Sequence, residues 1–166
     1  NITRSVSAIF FVIANSFAVT TSSLVSNAIG ARARNELFPI CHKVLKLGYA
    51  VGIPFVVVAL LCNRWIVSFY TDNELLIELA FAPFVVMLLN YTFALPGYVY
   101  LNAVGGTGKT KITFLFQVTT TCVYLVYLYW LSFCIKASLS LYLTAEYLFV
   151  ILLALQSIIH LKSKHY

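Results

Sequence analysis

The sequence predicts an all-α integral membrane protein, a polytopic bundle of about five transmembrane helices with its amino end outside and its carboxyl end in the cytoplasm. Three observations carry that prediction. Hydrophobic residues make up 61 % of the chain and charged residues only 10 %, against about 25 % charged in ordinary soluble domains. The few charges fall between long apolar stretches, and the basic ones collect on alternate connections. A chain of 166 residues with a mean hydropathy of +0.93 has more apolar surface than one small core can hide, because small domains keep a large surface-to-volume ratio.

The first span covers 5–31, an uncharged run roughly 40 Å long at the helical rise and enough to cross a hydrocarbon core of about 30 Å. A polar stretch follows, with Arg32, Arg34, Glu36, His42, Lys43 and Lys46. The second span is 44–70. Asp72, Glu74 and Glu78 mark an acidic connection, after which the third span is 76–107 and the fourth 112–135. The fifth runs over 139–161. Glu146 leaves only 147–159 uncharged there, short of the about 20 residues a span needs, so this acid is expected near the membrane surface.

Pooling alternate connections tests the sidedness. One side receives Arg32, Arg34, Lys43, Lys46, Lys109, Lys111, Lys162 and Lys164 against Glu36; the other receives Arg4, Arg64 and Lys136 against Asp72, Glu74, Glu78 and Glu146. Lysine and arginine are retained on the cytoplasmic side of membranes, and this places the carboxyl end there. Five crossings agree with that placement.

The same distribution excludes other classes. The net charge of +6 forms no basic stripe, so nucleic acid is not an expected partner. Cys41, Cys62, Cys122 and Cys134 lack clustered spacing and read as free thiols among apolar side chains, without a metal site or disulfide framework. His42, His160 and His165 fall at cytoplasmic boundaries, where headgroup contacts suit them better than proton relay. The chain begins at Asn1 and its only methionine is Met87, so it is expected to be part of something longer; no cleavable signal segment is apparent. Tyr outnumbers Trp eleven to two, and the aromatics near helix ends read as interfacial anchors.

Asn102 to Thr110 reads Asn-Ala-Val-Gly-Gly-Thr-Gly-Lys-Thr, and Ala103, Gly108, Lys109 and Thr110 satisfy a permissive phosphate-binding loop. A working loop needs a short buried strand before it, a helix after it and an acid for magnesium. Here the preceding segment is far longer than a strand, and most of the acids fall on the opposite side from Lys109. A nucleotide hydrolase is therefore the weaker reading, and a basic turn between two spans the stronger.

Ser26-Asn27-Ala28-Ile29-Gly30-Ala31 before a basic stretch, Tyr70-Thr71-Asp72 between spans, and a Pro-bearing helix closing in Val104-Gly105-Gly106-Thr107-Gly108-Lys109-Thr110 together resemble the multidrug and toxic compound extrusion (MATE) transporters. The family's last pattern usually reads Leu-Arg-Gly-x-Gly-Asp/Asn-Thr, and Gln often stands in place of Asn27. The resemblance covers essentially the whole chain and looks like the last five of the family's twelve helices. It implies a protein of two six-helix lobes around a central cavity, with the N-terminal lobe and one further helix outside this chain. It also implies export of organic, often cationic, compounds or drugs in exchange for sodium ions or protons, at the cell's inner (cytoplasmic) membrane. Some members carry an acid in the tenth helix. This chain has none between Glu78 and Lys109, and Ala94 stands near that place, which argues against cation binding by this lobe.

Polar side chains inside a membrane tend to face the bundle interior or a watery cavity. Ser16, Thr20, Ser23 and Asn27 share one helical face of the first span, and Gln117, Thr120, Tyr124 and Tyr127 one face of the fourth. The third contributes Asn90, Tyr91, Tyr98 and Asn102 around Pro96 and Gly97, a candidate hinge. Proline at 96 leaves the Thr92 carbonyl without its helical donor. These residues are candidates to line a substrate cavity, with Tyr91, Tyr98 and Tyr124 able to hold an organic cation by cation–π attraction. Hydroxyls bonding back to their own helix, or filling close helix contacts, explain the first stripe equally.

The reading is thus a secondary transporter fragment without catalytic residues, metal ligands or cofactors, using sodium ions or protons as the coupling ion in the complete protein. Its partners are the lipid bilayer, small organic substrates and the N-terminal lobe. A flippase for lipid-linked sugars is the nearest alternative, though no Lys or Arg interrupts the middle of any span to meet an anionic headgroup, Lys46 and Arg64 lying toward the ends of the second. A membrane subunit without transport of its own is another.

Overall fold

The computed structural model describes residues 2–69, 74–135 and 139–163. Tyr70, Thr71, Asp72, Lys136, Lys164 and His165, named above for resemblance or sidedness, lie outside them. The described chain is helical from end to end: α1 (Ile2–Gly30), a 3-10 turn (Arg34–Glu36), α2 (Leu37–Leu61), α3 (Asn63–Ser68), α4 (Glu74–Gly106), α5 (Thr110–Trp130), a π-helical segment (Leu131–Ile135) and α6 (Leu139–Ser163). Five stretches are long and apolar enough to cross a membrane: Ala8–Gly30, Leu37–Leu61, Ala80–Gly106, Thr110–Phe133 and Leu141–Ser163. No strand occurs among the described residues, so the protein is the all-α, multi-pass membrane bundle that its composition implies.

The boundaries follow from local chemistry. α1 ends in a Schellman motif, with the Ala33 N–H donating to the Ala28 carbonyl (2.9 Å) and the Arg32 N–H to that of Ile29 (3.0 Å). Arg32 takes the left-handed conformation at φ 58° that this cap requires. α2 starts earlier than position 44, at Leu37, because Pro39 in the first turn has no N–H to leave unsatisfied. It does not run on to 70. The helix breaks at Cys62, and the Asn63 side chain donates to the Leu60 carbonyl (2.7 Å), one of the acceptors that the helix end exposes.

α4 is the axis of the bundle. It packs on α1, α6, α2 and α5, while α5 is held chiefly by α6. Phe84, Leu88, Tyr91, Leu95, Val99 and Ala103 of α4 are all buried and recur at helical spacing. They join Ala14 and Val25 of α1 and Cys41, Val44 and Val56 of α2 in one core. Cys41, Cys62 and Cys122 are free thiols. Lipid tails are as apolar as leucine, so helix association in a membrane leans on close packing through small residues. Four glycines show it. A Cβ on Gly48 would come within 2.7 Å of Leu95, one on Gly52 would fall inside the Tyr91 ring, one on Gly97 within 2.7 Å of the Val150 carbonyl, and one on Gly106 within 2.5 Å of the Ser22 carbonyl.

Pro96 lies inside α4, which continues through it. The Thr92 carbonyl that this proline leaves without a donor is taken by the Tyr49 hydroxyl of α2, at 2.7 Å. In return the Tyr91 hydroxyl of α4 donates to the Gly48 carbonyl of α2 at 2.8 Å. Each helix thus caps a backbone carbonyl of the other.

Two outcomes check this packing. Gly52→Ala should lower stability by about 1–3 kcal/mol through overpacking against Tyr91, while Gly30→Ala, with nothing within 4 Å of its added carbon, should not; thermal unfolding in detergent separates them. Tyr49→Phe should cost about 1 kcal/mol with Pro96 present. In a Pro96→Ala background residue 96 regains an N–H for the Thr92 carbonyl, and the same substitution should cost clearly less. Equal costs in both backgrounds would show that the proline and the hydroxyl are unrelated.

Candidate functional site

The described bundle encloses a cavity of about 440 Å³ between α1, α4, α5 and α6. Its walls are aromatic. Phe10 of α1 meets Tyr91 of α4 edge to face with ring centres 6.0 Å apart, Phe11 meets Tyr98 at 5.4 Å, and Tyr124 of α5 meets Phe149 of α6 at 5.8 Å. All six rings line the space. Edge-to-face pairs orient their rings rigidly while leaving π faces available to a ligand. Ala8, Ala14, Met87, Ala94 and Val150 complete the apolar lining.

Two polar groups interrupt it. Glu146 of α6 and Asn90 of α4 both line the cavity, and the Asn90 amide Nδ2 donates to a Glu146 carboxylate oxygen at 3.2 Å. The next residue, Tyr147, bonds through its hydroxyl to the Val86 carbonyl, one turn below Asn90. The carboxylate is therefore carried by a stretch of α6 that is tied to α4 at two levels. Glu146 falls in the second turn of the span Leu141–Ser163, about 7 Å along the axis from its start, and α6 is continuous from Leu139 to Ser163 around it. A place toward the end of the span is what its sequence context suggested; that it faces a cavity is what the context did not reveal. The signal that could have found it is the acid itself, since an ionisable group within an apolar span ordinarily faces a cavity.

Of the residues singled out from the sequence, Asn90, Tyr91, Tyr98 and Tyr124 are brought together as lining of this cavity. Pro96 and Gly97 lie in the same stretch of α4, with Gly97 pressed against α6. Asn102 is half-buried and bonds back to the Tyr98 carbonyl at 3.0 Å. Thr120 is fully buried on α5, with its hydroxyl 3.5 Å from the Gln156 side-chain oxygen of α6. Gln117, about one turn nearer the start of α5, is exposed. Ser16, Thr20, Ser23 and Asn27 are exposed along the outer side of α1. The Ser16 and Thr20 hydroxyls donate to the carbonyls of Val12 and Ser16, 2.9 Å each, in the ordinary i−4 manner.

The glycine-rich stretch forms no phosphate cradle. Ala103 to Gly106 are the last turn of the long helix α4, not a loop after a strand. Gly106 allows the backbone of α1 to approach, and the Ser26 hydroxyl donates to its carbonyl at 2.9 Å. Only Gly108, at φ 85°, serves as a turn residue.

The MatE protein-family model matches residues 1–131 of the chain. No curated protein and no solved structure matches it. A match over that share of the sequence shows the family, and the chain belongs to MatE, a family of membrane transporters.

Proposed function

We propose that this MatE-family chain forms part of a secondary active transporter that exports organic cations in antiport with sodium ions or protons, across the cell's inner membrane. The observation that supports this reading best is a carboxylate set among aromatic rings inside a transmembrane bundle. Among the described residues Glu146 and Asn90 are its strongly polar lining groups, and beside the hydroxyls of Tyr91, Tyr98 and Tyr124 the rest is ring or aliphatic surface. An ionised carboxylate within an apolar span is costly unless partners offset it. The Asn90 amide N–H is one such partner, and a cation would be a stronger one.

An organic cation suits the remainder of the cavity as well. Its apolar body would lie against the rings of Tyr91, Tyr98, Tyr124 and Phe149, with cation–π attraction of about 2 kcal/mol or more when desolvated. The volume, about 440 Å³, falls within the roughly 300–1,000 Å³ usual for small-molecule sites. Binding and release need no covalent step, so the reading calls for no catalytic group. When the organic cation leaves, a sodium ion or a proton can take its place on the same carboxylate, which is the simplest physical basis for exchange. The excess of lysine and arginine on one set of connections supports an outside amino end and a cytoplasmic carboxyl end.

Transport by the full-length protein in proteoliposomes tests this. Glu146→Gln keeps the shape and the acceptor for Asn90 but loses the charge, and should lower uptake of a lipophilic organic cation by about tenfold or more. Tyr98→Ala should weaken it severalfold, by roughly the 1–2 kcal/mol that a cation–π contact supplies. Gln117→Ala, outside the cavity, should change it little. Full transport by a normally expressed Glu146→Gln protein would sink the assignment. Lys109→Ala should leave transport largely intact.

A further inference from the structure

We infer, resting on the cavity reading above, that this site selects cations carrying two or more N–H donors, such as primary or secondary ammonium, amidinium or guanidinium groups, over quaternary ammonium ions. The observation is the other end of the Asn90 amide. Its Nδ2 is engaged by Glu146, while its Oδ1 is buried and has no hydrogen-bond partner. A side-chain amide is bifunctional, with two donor hydrogens and an acceptor oxygen. Buried acceptors in native proteins are satisfied in the great majority of cases, and one that is not points to a missing donor.

Among the described residues no donor, the hydroxyls of the lining Tyr98 and Tyr124 included, makes a hydrogen bond to Oδ1. Met87, Ala94, Phe149 and Val150, which line the cavity with Asn90, carry no donor side chain. The Tyr91 and Tyr147 hydroxyls, on the same and the facing helix, already donate to the carbonyls of Gly48 and Val86. The carboxylate engages the amide by its donor end, and the acceptor end is left unmatched.

An incoming cation reverses the arrangement. Once a positive charge faces Glu146, the carboxylate no longer depends on the amide. Rotation about the terminal Asn torsion, which is broad and roughly two-fold, then turns Oδ1 toward the ligand. A cation with two N–H groups can donate one to Glu146 and one to Asn90, and so satisfies both acceptors. A quaternary ammonium ion offers charge and cation–π contact but no hydrogen, so Oδ1 stays unsatisfied. A site built to hydrogen-bond a ligand discriminates sharply against an analogue that lacks the matching group.

The test is competitive binding to the full-length protein in proteoliposomes at neutral pH. The probes are an aryl-substituted secondary ammonium ion and its N-methylated quaternary counterpart on the same aromatic body. The wild-type protein should prefer the secondary ion by about tenfold, equivalent to roughly 1.4 kcal/mol. Asn90→Leu, similar in size without donor or acceptor, should cut this ratio severalfold, leaving only the share owed to the N–H that faces Glu146, while the quaternary ion still binds. Equal affinity in the wild-type protein overturns the inference and leaves the cavity reading standing, and because it needs no variant it holds even where Asn90→Leu misfolds. A preference that Asn90→Leu leaves undiminished also overturns it. If neither ion binds, the cavity reading itself falls, and the inference with it.

Discussion

In hydrocarbon no water can satisfy a backbone carbonyl, so a proline within a membrane helix creates an obligation that another group must meet. Here the obligation is the Thr92 carbonyl and the Tyr49 hydroxyl meets it. The reciprocal bond from Tyr91 to the Gly48 carbonyl makes the arrangement two-sided. Together they set the rotation and height of α4 against α2. The cavity depends on that setting, since Asn90, Tyr91, Ala94 and Tyr98 straddle Pro96 and all line it. A slip of α4 by one residue would turn each of them by about 100° and disperse the lining.

Glycine contacts carry the same logic along the rest of α4. Gly48 and Gly52 let α2 close on Leu95 and Tyr91, Gly97 lets α6 close through Val150, and Gly106 lets α1 close through Ser22. The axis is thus gripped by three helices at separate heights. Val150 also lines the cavity, so the tight contact at Gly97 forms one margin of the open space. Close backbone approach where residues are small and separation where rings are paired are two results of the same packing.

The fold class was legible because lipid leaves its mark on composition, and a lack of charges over some twenty residues has few explanations. Helix ends were less so. The break at Cys62 depends on Asn63 reaching back to the Leu60 carbonyl, an event that hydropathy does not register. The α1 stripe of Ser16 and Thr20 was periodic for a local reason, since short hydroxyls bond their own helix wherever it faces. The residues around Pro96 carried more information, because large polar groups such as Asn90, Tyr91 and Tyr98 have no local way to be satisfied in a span. What could not be read was the pairing of Asn90 with Glu146, which lie 56 residues apart. Charge counting placed the acid toward one end of its span but could not say which helix it faces, and the packing of α6 on α4 supplies that. The glycine-rich stretch is the converse case. Its letters fit a nucleotide loop, but their place at the end of a 33-residue helix turns them to helix packing.

The absence of an acid between Glu78 and Lys109 argues against cation binding by α4 itself. Ala94 and Glu146 line the same cavity from different helices, so under the proposed function the carboxylate comes from α6 rather than from α4. What a cavity requires is a charge at a place, and any helix that reaches the place can provide it. Among the described residues the lining holds one carboxylate, which can balance one positive charge at a time. Two cations offered to it must therefore compete, whichever ion carries the charge, and under the proposed function that competition is what makes exchange the natural mode of transport.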